Sequence, residues 1–118
     1  MKDCKVYIMG TEYDIRFVEK FPEIFSQYEE TSDALCNSYN RLICIKLNSD
    51  KDMTGEGKEY LLKKNLRHEI IHAFLFESGL SSDTGCCIGA WAEHEEMVDW
   101  FAIQFPKILK VFEEVGCI

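Results

Sequence analysis

Two histidines and a glutamate lie close together near the middle of the chain, in the segment HEIIH that begins at His68. The segment has the form H-E-x-x-H. Because residues i and i+4 of an α-helix project from one face about one turn apart, His68 and His72 can bind one metal ion. Glu69 lies beside these ligands and can act as a general base toward water. The spacing therefore predicts a metal-dependent hydrolytic site; the alternative is an unrelated pair of histidines beside an ordinary acidic residue.

A zinc site with an open reactive position needs a third protein ligand. His94 is the first candidate, because it is the one remaining histidine. Residues 93–99 also carry four carboxylates, and Glu95 and Asp99 stand one helical turn apart on one face. A ligand and its supporting acid would have this spacing, whereas the alternative is a solvated acidic helix face. The residue types alone leave both His94 and Glu95 open as the third ligand.

The charge pattern around these motifs favours a cation. No Lys or Arg occurs between Arg67 and Lys107. The acidic residues in that interval are Glu69, Glu77, Asp83, Glu93, Glu95, Glu96 and Asp99. The negative electrostatic field of these residues stabilises a divalent cation, and without a cation the carboxylates would repel one another. It also predicts that a substrate brings neutral or basic groups to the site.

The segments HEIIHAFLFESGL and HEEMVDWFAIQFP resemble the small H-E-x-x-H zinc-metallopeptidase-like proteins of prophages and mobile elements in Gram-positive bacteria. These proteins are related to the ImmA/IrrE group and, more distantly, to the thermolysin-like gluzincins. The resemblance covers residues 61–112. It implies a zinc ion bound by His68, His72 and Glu95, with Glu69 as the general base and Asp99 supporting a zinc-bound histidine. It also implies a zincin-like fold.

The first half of the chain predicts a small antiparallel sheet. Residues 4–9 and 12–18 are rich in β-branched and aromatic side chains and indicate a hairpin. Residues 34–47 indicate a second hairpin, with Asn40 as the residue tolerant of a left-handed turn. Residues 21–32 predict either a short helix or an irregular crossing loop.

The second half predicts helices, separated from the sheet by a polar loop. Helical spacing runs over residues 58–78, and Gly79 is placed to end that helix in the left-handed conformation. A second helix is expected from residue 90 or 91 to 105, and Pro106 is expected to start a separate short helix to about residue 115. The residues predicted to face the core are Leu62, Leu66, Ile70, Ala73 and Phe74 in the first helix and Met97, Val98, Phe101 and Phe105 in the second.

Length and charge exclude several classes of protein. The chain has 118 residues, 47% of them hydrophobic, which is enough for one domain over residues 1–118 with the α+β class just described. A net charge of −8 argues against binding to nucleic acid or to anionic lipid. The longest apolar stretch, residues 70–76, is far shorter than the roughly 20 residues that span a bilayer. Without a signal-peptide pattern, the six cysteines predict reduced thiols and a cytoplasmic protein.

Other polar residues are weaker candidates for metal binding or catalysis. Cys86 and Cys87 lie between the two ligand-bearing helices and could supply a thiolate ligand, but two histidines and a carboxylate already complete an open site. Tyr39, Tyr60 and His94 are candidates to stabilise an oxyanion. Cys36 and Cys44 are expected to be buried in strands.

These observations predict a zinc-dependent peptidase that acts on a peptide or protein substrate of unspecified sequence. Zinc lowers the pKa of water to about 7 and polarises a carbonyl, and Glu69 can carry the proton to the leaving amine. Two alternatives remain. One is a non-catalytic module in which zinc clamps two helices for binding a partner protein, and the other is a metal-dependent hydrolase of a non-peptide amide.

Overall fold

The chain forms an α+β structure, as the sequence predicts. The structure, a computed structural model, describes residues 1–49, 52–81, 94–114, 116 and 118. In chain order the elements are β1 (Cys4–Ile8), β2 (Thr11–Val18), a 3-10 helix (Glu23–Tyr28), β3 (Ala34–Asn37), β4 (Leu42–Lys46), α1 (Gly55–Glu77) and α2 (Glu95–Glu114). The predicted pair Cys86 and Cys87 and the expected helix start at residue 90 or 91 lie outside the described residues.

The four strands form a mixed sheet, so the prediction of an antiparallel sheet is wrong. The strand order is β1-β2-β4-β3. The two hairpins, β1 with β2 and β3 with β4, are antiparallel as predicted, but β2 and β4 pair in parallel. The connection between the hairpins, which includes the 3-10 helix, brings the second hairpin beside the first with β4 innermost.

Burial on both faces explains why β4 is central. Ile43 and Ile45 pack with Ala73 of α1 on one face of the sheet. Cys44 packs with Phe21 and with Phe25 of the 3-10 helix on the other face. A strand that is apolar on both faces belongs in the interior of a sheet, where both faces are covered. β3 is only partly buried and lies at the edge.

Both hairpin turns differ slightly from the prediction: the first lies one residue earlier than the segments 4–9 and 12–18 imply, and the second has a different left-handed residue. Met9 and Gly10, which join β1 to β2, have φ angles of 49° and 87°, as a two-residue turn with both central residues left-handed requires. In the second hairpin the left-handed residue is Arg41, with φ 54°, and not Asn40. The backbone N–H of Asn40 instead donates to Oδ1 of Asn37 (3.0 Å), a turn that the short amide side chain stabilises.

Helix α1 packs against the sheet and ends where the sequence predicts. Leu62, Leu66 and Ile70 pack at its inner face together with the fully buried Ala73. Phe74, expected in the same stripe, is 45% exposed, because it lies about 100° around the helix from Ala73. Gly79 has φ 81°, and its N–H donates to the Phe76 carbonyl (2.9 Å), which ends the helix as expected.

Helix α2 continues through Pro106, which corrects the prediction of a helix ending at residue 105. An interior proline removes the N–H that would bond the carbonyl of residue i−4, here Ala102. That carbonyl accepts a hydrogen bond from Nε of Arg67 on α1 instead (2.5 Å). The helix can therefore pass through Pro106 without leaving this carbonyl unpaired.

The face of α2 that packs on the rest of the protein includes Val98, as predicted, but not Phe101 or Phe105. Val98 and Ala102 are fully buried, whereas Phe101 and Phe105 are 40% and 48% exposed. Short side chains at the contact allow two helices to approach closely, which the bulky rings would prevent. Met97 is half-buried.

Within the described parts of the chain, neither helix has the length and apolar character needed to cross a membrane.

Candidate metal centre

Helix α1 presents the two histidines of the H-E-x-x-H motif side by side. The Nε2 atoms of His68 and His72 are 3.0 Å apart, and the ring centroids are 4.7 Å apart. Both side chains are half-buried and line a cleft. The helical spacing predicted from the sequence is therefore present, with both Nε2 atoms directed to one point.

Glu95, the first residue of α2, brings a carboxylate to the same point. Its Oε2 atom is 3.0 Å from Nε2 of His68, and its Oε1 atom is 3.2 Å from Nε2 of His72. Among the described residues, these three side chains form the one cluster of potential metal ligands, with one ligand atom from each lying within 4.8 Å of the others. The carboxylate side chain is 69% exposed, so the cluster is accessible from solvent.

The spacing of these atoms fits a tetrahedral zinc ion. Zinc bonds of about 2.0–2.1 Å place neighbouring ligand atoms of a tetrahedron about 3.3 Å apart. The separation of 3.0 Å between the two Nε2 atoms is close to this value, and each Nε2 atom has a different oxygen of Glu95 at 3.0 or 3.2 Å. Unprotonated ring nitrogens and carboxylate oxygens are all acceptors, so such a cluster needs a proton or a cation between them. Nitrogen and oxygen donors of this kind suit zinc.

Asp99 supports His68 from behind. Its Oδ1 atom is 2.8 Å from Nδ1 of His68 and 2.7 Å from Nζ of Lys64. Burial acts to raise the pKa of Asp99, but hydrogen bonds from Lys64 and His68 outweigh it and leave the pKa below its ordinary value. Asp99 is therefore a carboxylate that accepts the Nδ1 hydrogen of His68. This tautomer leaves the lone pair of Nε2 free for a metal ion.

Glu69 lies beneath the histidines and is only 7% exposed. Burial, followed by the nearby charge of Glu95, raises the pKa of Glu69 to about 8, although Lys64 and the backbone of Cys36 in β3 act in the opposite direction. A carboxyl group with a pKa near neutrality can both accept a proton and return it.

A cleft of about 550 Å³ joins these groups. Its lining residues come from α1, from β3 and its flanks, and from the start of α2; they include Ser32, Ala34, Cys36, Ser38, Phe76 and Ser81 beside the site residues. Because β3 is the edge strand, the cleft lies between the motif helix and one open edge of the sheet.

The other sequence candidates are not members of the described cluster. His94 is exposed, and its carbonyl accepts the N–H of Val98 (3.1 Å) at the start of α2. Glu96 is also exposed. Tyr39 is 87% exposed and contacts the ring of Phe76 edge-on, and Tyr60 is 57% exposed. His94, Tyr39 and Tyr60 are not among the described residues that line the cleft, although Tyr39 contacts Phe76, which is one of them.

The strand cysteines Cys36 and Cys44 are free thiols and are not members of the described cluster. Cys44 is fully buried and Cys36 is half-buried, as expected for strand residues. Burial raises the pKa of Cys36 and of Cys44 to about 11, which disfavours the thiolate that a metal ligand must be. Cys86 and Cys87 lie outside the described residues, so their expected place beside the site is not described.

Two of the acidic residues have partners that the charge pattern does not predict. Glu77 accepts hydrogen bonds from the hydroxyl groups of Thr11 (2.8 Å) and Tyr13 (2.7 Å), which join the end of α1 to β2. Asp99 pairs with Lys64, a site residue that the motifs do not reveal. Lys64 lies one helical turn before His68, so it shares a helix face with that histidine. This i, i+4 spacing is the sequence feature from which its place near the site could have been predicted. Lys64 therefore offsets the charge of Asp99, whereas the two hydroxyl groups lower the pKa of Glu77 and leave it charged.

No protein-family model, curated protein or solved structure matches the chain.

Proposed function

We propose that this chain is a zinc-dependent peptidase with a zincin-like fold. The observation that carries the proposal is the placement of Glu69 in the same cleft as the ligand atoms of His68, His72 and Glu95. A zinc ion that only joins two helices has no need of a buried carboxyl group beside it, and it usually has four protein ligands. A titratable group with a pKa shifted toward neutrality in a cleft is typical of catalytic sites.

The side chains have distinct roles in the proposed reaction. Zinc, when bound, supplies Lewis-acid chemistry, because it acidifies water and polarises a carbonyl. Glu69 accepts a proton from the attacking water and delivers it to the leaving amine, so the C–N bond breaks without an unstable amide anion. Asp99 holds His68 in the tautomer that exposes Nε2. The chain itself therefore provides the base, the ligands and their orientation.

The edge strand favours a peptide as the substrate over a small non-peptide amide. Ala34, Leu35 and Cys36 of β3 line the cleft, and the outer side of β3 has no neighbouring strand in the described sheet. An extended peptide can add to such an edge through main-chain hydrogen bonds. Carboxylates at the site favour neutral or basic residues in that peptide. The cytoplasm remains the location expected from the sequence.

The test combines metal content with cleavage of a defined peptide mixture followed by mass spectrometry. Wild-type protein should contain about one zinc ion per chain and should cleave peptides. Glu69→Gln should keep zinc and lose cleavage, because the amide preserves the shape of the side chain and cannot accept the proton. His72→Ala should lose both zinc and cleavage.

The same experiment separates the alternatives. Zinc binding without cleavage of any peptide by wild-type protein would favour the non-catalytic module. Equal cleavage by wild type and Glu69→Gln would assign the measured activity to a contaminant. A folded protein that stays metal-free after incubation with zinc would refute the proposed centre.

A further inference from the structure

Before its last turn, helix α2 contains one carbonyl group whose helical donor is missing. In an α-helix the carbonyl of residue i accepts the N–H of residue i+4, so the carbonyl of Ala102 would be paired with residue 106. Residue 106 is Pro, which has no N–H. Ala102 is fully buried, and an unpaired buried carbonyl is strongly destabilising.

Arg67 of α1 supplies the missing donor. Its Nε atom donates to the Ala102 carbonyl at 2.5 Å. Arg67 immediately precedes the metal ligand His68, and Ala102 lies three residues beyond Asp99, so this bond joins the two helices directly beside the candidate metal centre. A charged donor gives a stronger hydrogen bond than a neutral one.

The bond selects one position of α2 along α1. Before its last turn, α2 offers its other carbonyl groups to its own i+4 N–H groups, so they are poorly available to a donor from outside. Pro106 leaves the Ala102 carbonyl open. A shift of α2 by one turn would move this acceptor away from Arg67 by about 5.4 Å and would present a carbonyl that is already paired.

We propose that Arg67 and Pro106 form an interhelical lock that sets the position of α2 on α1 and thereby holds Glu95 against His68 and His72. Arg67 is a positioning residue, since it acts through α2 and does not bind the metal. The lock exists without metal, but its effect on metal binding rests on the proposed zinc centre.

A double-mutant cycle tests the lock with Arg67→Met, Pro106→Ala and the double variant. Pro106→Ala restores the N–H for the Ala102 carbonyl, so it should make Arg67 dispensable. With Pro106 in place, Arg67→Met should lower the folding equilibrium constant of the metal-free protein about 10-fold in urea titrations. It should also weaken Zn²⁺ affinity about 10-fold, measured by competition with a chromophoric chelator. In the Pro106→Ala background both losses should shrink to about 3-fold or less.

Lys63→Met is the matched control. Lys63 is a neighbouring cation of α1, but its Nζ atom pairs with Glu59 of the same helix (2.6 Å). This variant should leave the Zn²⁺ affinity unchanged, and its effect on the folding equilibrium constant should be the same with and without Pro106→Ala. It reports the effect of losing one positive charge near the site without losing a link to α2.

The outcomes are distinct. The lock would be overturned if Arg67→Met lowered the folding equilibrium constant equally with Pro106 and with Ala at position 106, or lowered it in neither. It would also be overturned if Arg67→Met failed to fold with either residue at position 106. Folding of Arg67→Met only in combination with Pro106→Ala would support it. Coupling in the unfolding titrations with the same Zn²⁺ affinity in all four proteins would overturn the positioning role. Wild-type protein that binds no Zn²⁺ would refute the proposed function and the positioning role, and the unfolding cycle would still decide the lock.

Discussion

Glu69 makes the stability of the metal-free protein depend on pH. Its pKa rises from 4.5 to about 8 on folding, first because of burial and then because of Glu95. Between these values the folded state keeps a proton that the unfolded state releases. The stabilising contribution of neutral Glu69 is therefore complete below about pH 4.5 and is lost as the pH rises to about 8.

Glu69→Gln should remove this dependence, because the amide stays neutral at every pH. In chelator-treated protein the variant should be more stable than wild type at about pH 8 by on the order of 2 kcal/mol, and close to wild type at about pH 5. Urea titrations at the two pH values measure this difference. Glu96→Gln, which changes an exposed carboxylate of the same helix start as Glu95, is the control. Parallel pH profiles for wild type and Glu69→Gln would contradict the prediction.

The acidic residues at the start of α2 should differ strongly in their effect on zinc affinity. Glu95→Gln should weaken zinc binding by more than about 100-fold, because its oxygens lie beside both histidines. Asp99→Asn should weaken it about 10-fold to 100-fold through the orientation of His68. Glu96→Gln and His94→Ala should leave it unchanged, since both side chains are exposed outside the cluster.

Competition titrations across these four variants give the ranking. Retention of zinc by Glu95→Gln together with its loss in His94→Ala would transfer the third-ligand role to His94. That result would leave the H-E-x-x-H pair in place.

At the scale of elements, the contact between α1 and α2 depends on small side chains. Ala102→Leu should lower the free energy of unfolding by about 1–3 kcal/mol, because the added volume has no space at a fully buried position. It should also weaken zinc binding, since it moves α2 away from α1. Thermal or urea unfolding and the chelator competition measure the two effects.

Phe105→Ala is the comparison for this prediction. The Phe105 ring is 48% exposed, so its removal should cost less than about 1 kcal/mol. If Phe105 instead faced the core, as the helical pattern predicts, the loss would be about 3–5 kcal/mol. A larger cost for Phe105→Ala than for Ala102→Leu would therefore show that α2 packs with its other face.

At the scale of the whole molecule, zinc should hold the two halves of the site together. His68 and His72 lie on α1 and Glu95 lies on α2, so a shared ion links elements that are distant in sequence. Zinc at about 100 times its dissociation constant should stabilise the folded state by about 2.7 kcal/mol. For a chain of this size this corresponds to a rise in melting temperature of roughly 10 °C.

Thermal unfolding with added zinc and with chelator measures this shift. His72→Ala should melt at the same temperature under both conditions, because it lacks a ligand. A shift of the same size in His72→Ala would place the stabilising ion elsewhere on the protein.

Local features of this chain were predictable because they depend on neighbours in sequence. The side-by-side histidines follow from the period of the α-helix, and the end of α1 follows from the freedom of Gly79 to adopt a positive φ. The hairpin at Met9 and Gly10 follows from two alternating segments separated by a short turn. Each of these needs only a few consecutive residues.

Features that join distant segments were decided by the tertiary structure. The parallel pairing of β2 with β4 depends on burial of Ile43, Cys44 and Ile45 on both sides, which no hairpin pattern encodes. Helical periodicity identified apolar positions on α2 but could not choose between the ring of Phe105 and the small Ala102 at the contact. That choice depends on the distance between the two helices.

The features of the candidate site also fall into those that the sequence predicts and those that only the tertiary structure decides. The sequence by itself determined that His68, Glu69 and His72 share one helical turn and that Glu95 and Asp99 share another. Only the tertiary structure decided that Glu95, and not His94, faces the histidines. It likewise decided that Lys64 reaches Asp99 and that Asp99 reaches His68. Hydrogen bonds between segments far apart in sequence depend on how the helices and the sheet pack, and packing is a property of the whole fold.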